Sequence, residues 1–133
     1  RAGGRGDVTA SHVVWKLSKN ANVSSPIYHD GHLYFANEQG VAYCLNARTG
    51  EIAYEERLTP RPAEFYASPV LADGKLYYVS RQGRTYVLAA KPRFEQVALN
   101  ELGDASVFNA SPAVSDGQLL LRSDRYLYCI DEK

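Results

Sequence analysis

Methionine is absent from the 133-residue sequence, tryptophan occurs once, cysteine twice and histidine three times. With no initiator methionine, the chain is expected to be processed or excised from a longer one. Cys44 and Cys129 have no clustered His, Asp or Glu beside them, which excludes a tetrahedral zinc site. They are read as small buried apolar residues. Excess charge is missing too: 15 basic and 15 acidic side chains give a net charge of zero. That balance removes the electrostatic reason to expect nucleic acid or an anionic membrane as partner. No apolar run approaches the ~20 residues of a membrane span. Arg1–Asp7 lacks the apolar core of a signal peptide and reads as a flexible leader. No nucleophile elbow, phosphate loop or His-Glu-x-x-His motif occurs. What is present is a globular composition, 45% hydrophobic and 23% charged, with 10 tyrosines suited to half-buried positions in β-structure.

The chain repeats itself. Ser25-Pro26, Ser68-Pro69 and Ser111-Pro112 keep a 43-residue step, and so do Asp30-Gly31, Asp73-Gly74 and Asp116-Gly117. Leu33, Leu76 and Leu119 hold the same register. Tyr43 and Tyr86 continue it, and Tyr128 falls one residue short. Several residue types sharing one period mark a repeat architecture rather than chance similarity.

Within a unit, short alternating apolar runs are broken by turn residues, which predicts strands and almost no helix. In the first unit these are 25–28, 32–36, 41–46 and 51–56, separated by Asp30-Gly31, Gln39-Gly40 and Thr49-Gly50. Asp-Gly favours a tight hairpin because glycine accepts positive φ without a Cβ clash. Four antiparallel strands in about 40–45 residues make a blade of a β-propeller, the period of WD40-like repeats. The expected division is 1–24 leader and outer strand, 25–66 first blade, 67–109 second, and 110–133 third without its outer strand. His12–Leu17 is expected to be a fourth, outer strand belonging to another blade. Cys44 and Cys129, both in third strands two blades apart, lie beyond disulfide reach.

The segment Cys44-x-Asn46-x-x-Thr49-Gly50-x-x-x-Tyr54 follows, in degraded form, the pattern Ala-x-Asp-x-x-Thr-Gly-x-x-x-Trp. Cys129-Ile130-Asp131 keeps only its opening, and Ala89–Arg93 has lost the Thr-Gly. Trp15 is the single tryptophan, at an outer-strand position, after the run Gly6–Thr9. In these features the units resemble the pyrroloquinoline-quinone-like (PQQ-like) β-propeller repeats of bacterial extracytoplasmic proteins, in which this is the tryptophan-docking pattern. The resemblance implies a periplasmic or secreted location. Dehydrogenases of that family hold the quinone and a calcium ion above an eight-bladed ring. This sequence shows neither their adjacent-cysteine pair nor a matching Glu-Asn-Asp set, so the resemblance favours the non-catalytic scaffolds among its members, without cofactor.

Function is therefore expected from binding surfaces. His29 and His32 flank a turn and are read as solvated, since zinc needs more convergent ligands. Ser25, Ser68 and Ser111 recur in all three units, which marks them as structural rather than nucleophilic. Second-to-third-strand turns and blade-to-blade loops vary and share one end of the sheets, where binding is usually placed. Arg61, Glu64, Tyr66, Arg81, Arg84 and Phe108 are the candidate binding residues there. A fragment of a PQQ-dependent oxidoreductase is the first alternative. A carbohydrate-active propeller is the second, with Glu64 and Asp104 as its carboxylates. Three blades do not close a ring, which is expected to be completed by a second copy, giving six blades, or by the remainder of a longer propeller.

Overall fold

The computed structural model describes residues 3–131. Arg1 and Ala2 of the leader, and residues 132 and 133 at the end of the third repeat, lie outside the described residues. The first sheet contains β1 (Ile27–His29), β2 (His32–Ala36), β3 (Val41–Asn46) and β4 (Ile52–Arg57). The second contains β5 (Val70–Ala72), β6 (Lys75–Val79), β7 (Arg84–Ala89) and β8 (Gln96–Glu101). The third contains β9 (Ala113–Ser115), β10 (Gln118–Arg122) and β11 (Leu127–Ile130). Each sheet is an antiparallel meander in chain order, so the fold is all-β, built of unclosed propeller blades. In the first hairpin of each sheet Asp30, Asp73 and Asp116 take φ of 44°, 46° and 50°. The glycines that follow take 76°, 65° and 79°. Positive φ at both positions matches the twist of the flanking strands, which is why Asp-Gly recurs here.

Strand alternation gives every sheet two apolar faces. Tyr34, Ala36, Ala42, Cys44 and Tyr54 of the first sheet point forward onto Leu76, Tyr78, Tyr86 and Leu88 of the second. Leu58 and Phe65, from the connecting loop, complete that core. Val79 of the second sheet points forward, with Ala67, to meet Phe108 and Leu121. Backward from the first sheet, Phe35, Tyr43 and Leu45 are covered by Trp15, Leu17 and Ala21. The repeated serines tie one blade to the next. The Ser25 amide donates to Ser68 Oγ at 2.9 Å and the Ser68 amide to Ser111 Oγ at 2.9 Å, each across 43 residues.

Two expectations need correction. His12 does not begin a strand: it closes the one-turn helix α1 (Thr9–His12), and residues 13–17 join no ladder among the described residues. Val13 is nonetheless extended, at φ −73° and ψ 115°. An outer strand needs a third strand beside it, and none of the three sheets presents one at that place. Cys129 is not buried. Cys44 is, and both thiols are free. Cys129 points forward from the third sheet, where no further blade is stacked among the described residues, so repeat equivalence to Cys44 does not give it the same cover.

Candidate binding face and aromatic docking sites

In an antiparallel meander the β2–β3, β6–β7 and β10–β11 turns share one end of the sheets with the loops that join them. Arg81, in the β6–β7 turn, is the hub of that end. Its amide donates to the Glu64 carbonyl at 2.9 Å, and its own carbonyl accepts from the Phe108 amide at 3.0 Å. Both neighbouring loops are thus bonded to one turn residue. The guanidinium extends the same bridge. Nη1 donates to Glu64 Oε2 at 3.1 Å and Nε to Asn109 Oδ1 at 3.1 Å. The charged group also lies 4.4 Å from the centre of the Tyr66 ring, a cation–π contact.

The sequence candidates separate accordingly. Glu64, Tyr66 and Arg81 come together, with Arg61 exposed on the same loop. Arg84 turns aside to the outer strand, where Nε donates to Glu101 Oε1 at 2.5 Å. Phe108 is not available to a ligand: it is 1% exposed and stacks on Tyr128. It seals the β6–β7 turn, since a Cβ on Gly83 would lie 2.6 Å from its ring. Phe65 stands one repeat earlier and is likewise buried, a spacing that would have marked Phe108 as core. Asn109 escaped notice because a lone asparagine carries no signal in a sequence.

The carboxylates weighed for sugar chemistry are otherwise engaged. Asp104 accepts from the Ser106 hydroxyl at 2.5 Å, the Ser106 amide at 2.9 Å and the Tyr128 hydroxyl at 2.8 Å. These bonds, the Ser106 hydroxyl foremost, hold its carboxyl well below the usual carboxylate range. Such a group stays ionised and is unsuited to general-acid work. Tyr128 is pushed up to about 12, first by desolvation and then by its bond to Asp104. Elsewhere His32 Nδ1 lies 2.8 Å from the Asp30 carbonyl oxygen. No three His, Cys, Asp or Glu side chains converge on a common point among the described residues.

The second notable feature is the seat of Trp15. Asn46 Oδ1 accepts from the Arg48 and Thr49 amides, at 2.9 and 3.2 Å, shaping the β3–β4 turn. That exposes the Ala47 carbonyl, to which the indole N–H donates at 3.0 Å. Gly50, at φ 77°, lies under the ring, and a Cβ there would be 2.8 Å from Trp15 Cδ2. Thus Thr49-Gly50 and Asn46 receive an aromatic residue from outside their own sheet. Tyr54 of β4 in turn points forward, packing on Phe94 beside the second sheet with ring centres 5.6 Å apart.

Stacked antiparallel meanders, two of which receive an aromatic side chain from outside their own sheet, define a PQQ-like propeller repeat. The family model described as outer membrane protein assembly factor BamB matches residues 6–93, and the chain belongs to this family. Among solved structures, BamB from Moraxella catarrhalis is similar over 89% of this chain and 36% of its own, at 16% identity and a TM-score of 0.70. Quinohemoprotein alcohol dehydrogenase from Comamonas testosteroni is similar over 76% of this chain and 17% of its own, at 19% identity and a TM-score of 0.58. The corresponding enzyme ADHIIG of Pseudomonas putida HK5 gives 80%, 17%, 20% and 0.60. These likenesses establish the fold, and the chain spans well under half the length of each. No curated protein sequence matches it. No helix among the described residues is long and apolar enough to cross a membrane.

Proposed function

We propose that this chain is a segment of a non-catalytic propeller scaffold that binds a partner protein through its loop face, in the service of outer membrane protein assembly. The observation that carries the reading is Arg81. A half-exposed guanidinium, oriented on Tyr66 and bonded to Glu64 and Asn109, orders two loops and a turn into one polar surface. Preorganised arginine and tyrosine are characteristic anchors of protein interfaces. Arg61 adds an exposed charge that joins no ion pair among the described residues. The family match supports that process and is consistent with an extracytoplasmic compartment.

Further blades complete the ring, in a longer chain or a second copy. Residues 13–17 join no ladder, though Trp15 and Leu17 cover the first sheet, and β11 is an edge strand among the described residues, which supports completion by further blades. The 36% coverage of the Moraxella protein favours blades of a longer chain.

A segment of a quinoprotein oxidoreductase is the second reading, favoured by the two dehydrogenase likenesses. Titration with pyrroloquinoline quinone and calcium, followed by absorbance and dye reduction, separates the two. The scaffold reading requires no quinone-dependent reduction. A photoreactive residue at Arg61 should cross-link to an outer membrane assembly component, while one at Asp73, at the opposite end of the sheets, should not. Equal cross-linking from both positions would refute the loop face as the interface.

A further inference from the structure

In the second and third units a repeated bond closes the loop that enters the sheet onto the turn between the sheet's second and third strands. The Arg81 amide donates to the Glu64 carbonyl at 2.9 Å. One 43-residue step on, the Asp124 amide donates to the Val107 carbonyl at 2.9 Å. The residue after each of these carbonyls is a buried phenylalanine, Phe65 at 2% exposure and Phe108 at 1%.

The first unit lacks both features. Its matching pair, the Glu38 amide and the Ala21 carbonyl, makes no such bond among the described residues, and Asn22 stands where the phenylalanines stand. Between loop and turn lies instead a cavity of about 240 Å³, lined by Asn20, Asn22, Asn37, Glu38 and Gln39. Both of its walls belong to the described chain. Asn37 is committed to the turn, its Oδ1 accepting from the Gln39 and Val41 amides at 3.0 Å each. The other four side chains make no hydrogen bond or ion pair among the described residues. One unpaired polar side chain is ordinary on a surface, but four around a single cavity are a set of donors and acceptors.

We propose that this cavity binds a neutral pyranose through adjacent hydroxyls, as a free sugar or as the terminal ring of a glycan. The carboxamides of Asn20, Asn22 and Gln39 each present a donor and an acceptor side by side, which matches a vicinal diol. The Glu38 carboxylate accepts from further hydroxyls. Other ligand classes fit less well. One carboxylate falls short of the oxygen set that a calcium ion takes. The lining holds no cation for a phosphate and no ring on which a base could stack. The volume lies below the usual range of ligand pockets, which limits the occupant to one sugar ring. The site uses none of the residues around Arg81, so its failure leaves the partner-binding reading standing.

The test titrates the nitrogen-15-labelled 133-residue chain with the methyl glycosides of glucose, galactose, mannose and N-acetylglucosamine. At least one should shift the side-chain amide signals of Asn20, Asn22 and Gln39 and the Glu38 backbone amide, saturating in the millimolar range, about 1–10 mM. Its fully O-methylated form keeps the ring but donates no hydrogen bond, and should shift none of them. Asn22→Ala and Gln39→Ala remove exposed, unbonded side chains and should each weaken binding about fivefold. Asn22→Phe, which restores the residue of the other units, should abolish it, and if that variant does not fold the two alanine variants decide. A trisaccharide of the same sugar that binds as tightly supports capture of a terminal ring, and one that does not bind supports a free-sugar site. No shift from any glycoside at about 50 mM, equal shifts from the O-methylated form, or shifts confined to residues 61–66 and 81 would each overturn the proposal.

Discussion

Trp15 and Gly50 should be energetically coupled, and the structure sets the size of the coupling. Truncating a buried tryptophan costs about 3–5 kcal/mol. Trp15 is half-buried, so about 2 kcal/mol is expected from lost packing, and about 1 kcal/mol more from the indole bond to Ala47. Trp15→Ala should therefore cost about 3 kcal/mol. Gly50→Ala acts twice. At φ 77° an L-residue is strained by about 1 kcal/mol. Its Cβ would also lie 2.8 Å from the ring and push the indole off its seat, removing about 2 kcal/mol of packing. Once Trp15 is already alanine, only the backbone strain remains. The double variant should cost about 4 kcal/mol rather than about 6, a coupling of about 2 kcal/mol. Urea unfolding followed by far-ultraviolet circular dichroism measures all four corners, since fluorescence disappears with the tryptophan. Additive single effects, with coupling under about 0.5 kcal/mol, would refute the docking argument.

The buried hydroxyls of Tyr54 and Tyr78 have no hydrogen-bond partner among the described residues, so Tyr78→Phe should stabilise the chain by about 1 kcal/mol in the same assay, and a comparable loss would mean that the hydroxyl is bonded. The Asp104–Tyr128 bond should be visible from both sides of neutrality. Because Asp104 is depressed in the fold, its contribution is complete above about pH 4 and is lost as pH falls below that, a loss that Asp104→Asn should remove. Because Tyr128 is raised, its contribution is complete below about pH 10 and is lost as pH climbs toward 12, and Asp104→Asn should lower its phenolate titration midpoint. A thiol reagent should modify Cys129 in the native chain and Cys44 only on unfolding, and equal rates would contradict the sheet stacking. Light scattering should show association above the 14.7 kDa chain mass, since Val13, Val14 and Leu127 are 55%, 73% and 71% exposed at the open ends. A well-folded monomer would refute that expectation.

Much of the architecture is a local matter, and so the sequence alone determined it. Asp-Gly places both turn residues at positive φ without help from the rest of the fold, and alternation then assigns each side chain a face. A 43-residue step repeated by serine, aspartate, glycine and leucine is enough to define blades. The docking pattern was legible at Thr49-Gly50 for the same reason. Which residues meet across blades was decided only in three dimensions. Phe108 and Arg81 sit in variable loops and look equally eligible for binding, yet one is sealed under Gly83 and the other is held at the surface by Glu64, Tyr66 and Asn109. Cys44 and Cys129 occupy equivalent strand positions with opposite exposure, because burial belongs to the neighbouring sheet rather than to the residue. Residues 12–17 have the composition of a strand, but a ladder needs hydrogen-bond partners, and backbone pairing is a property of two segments that no single one can specify.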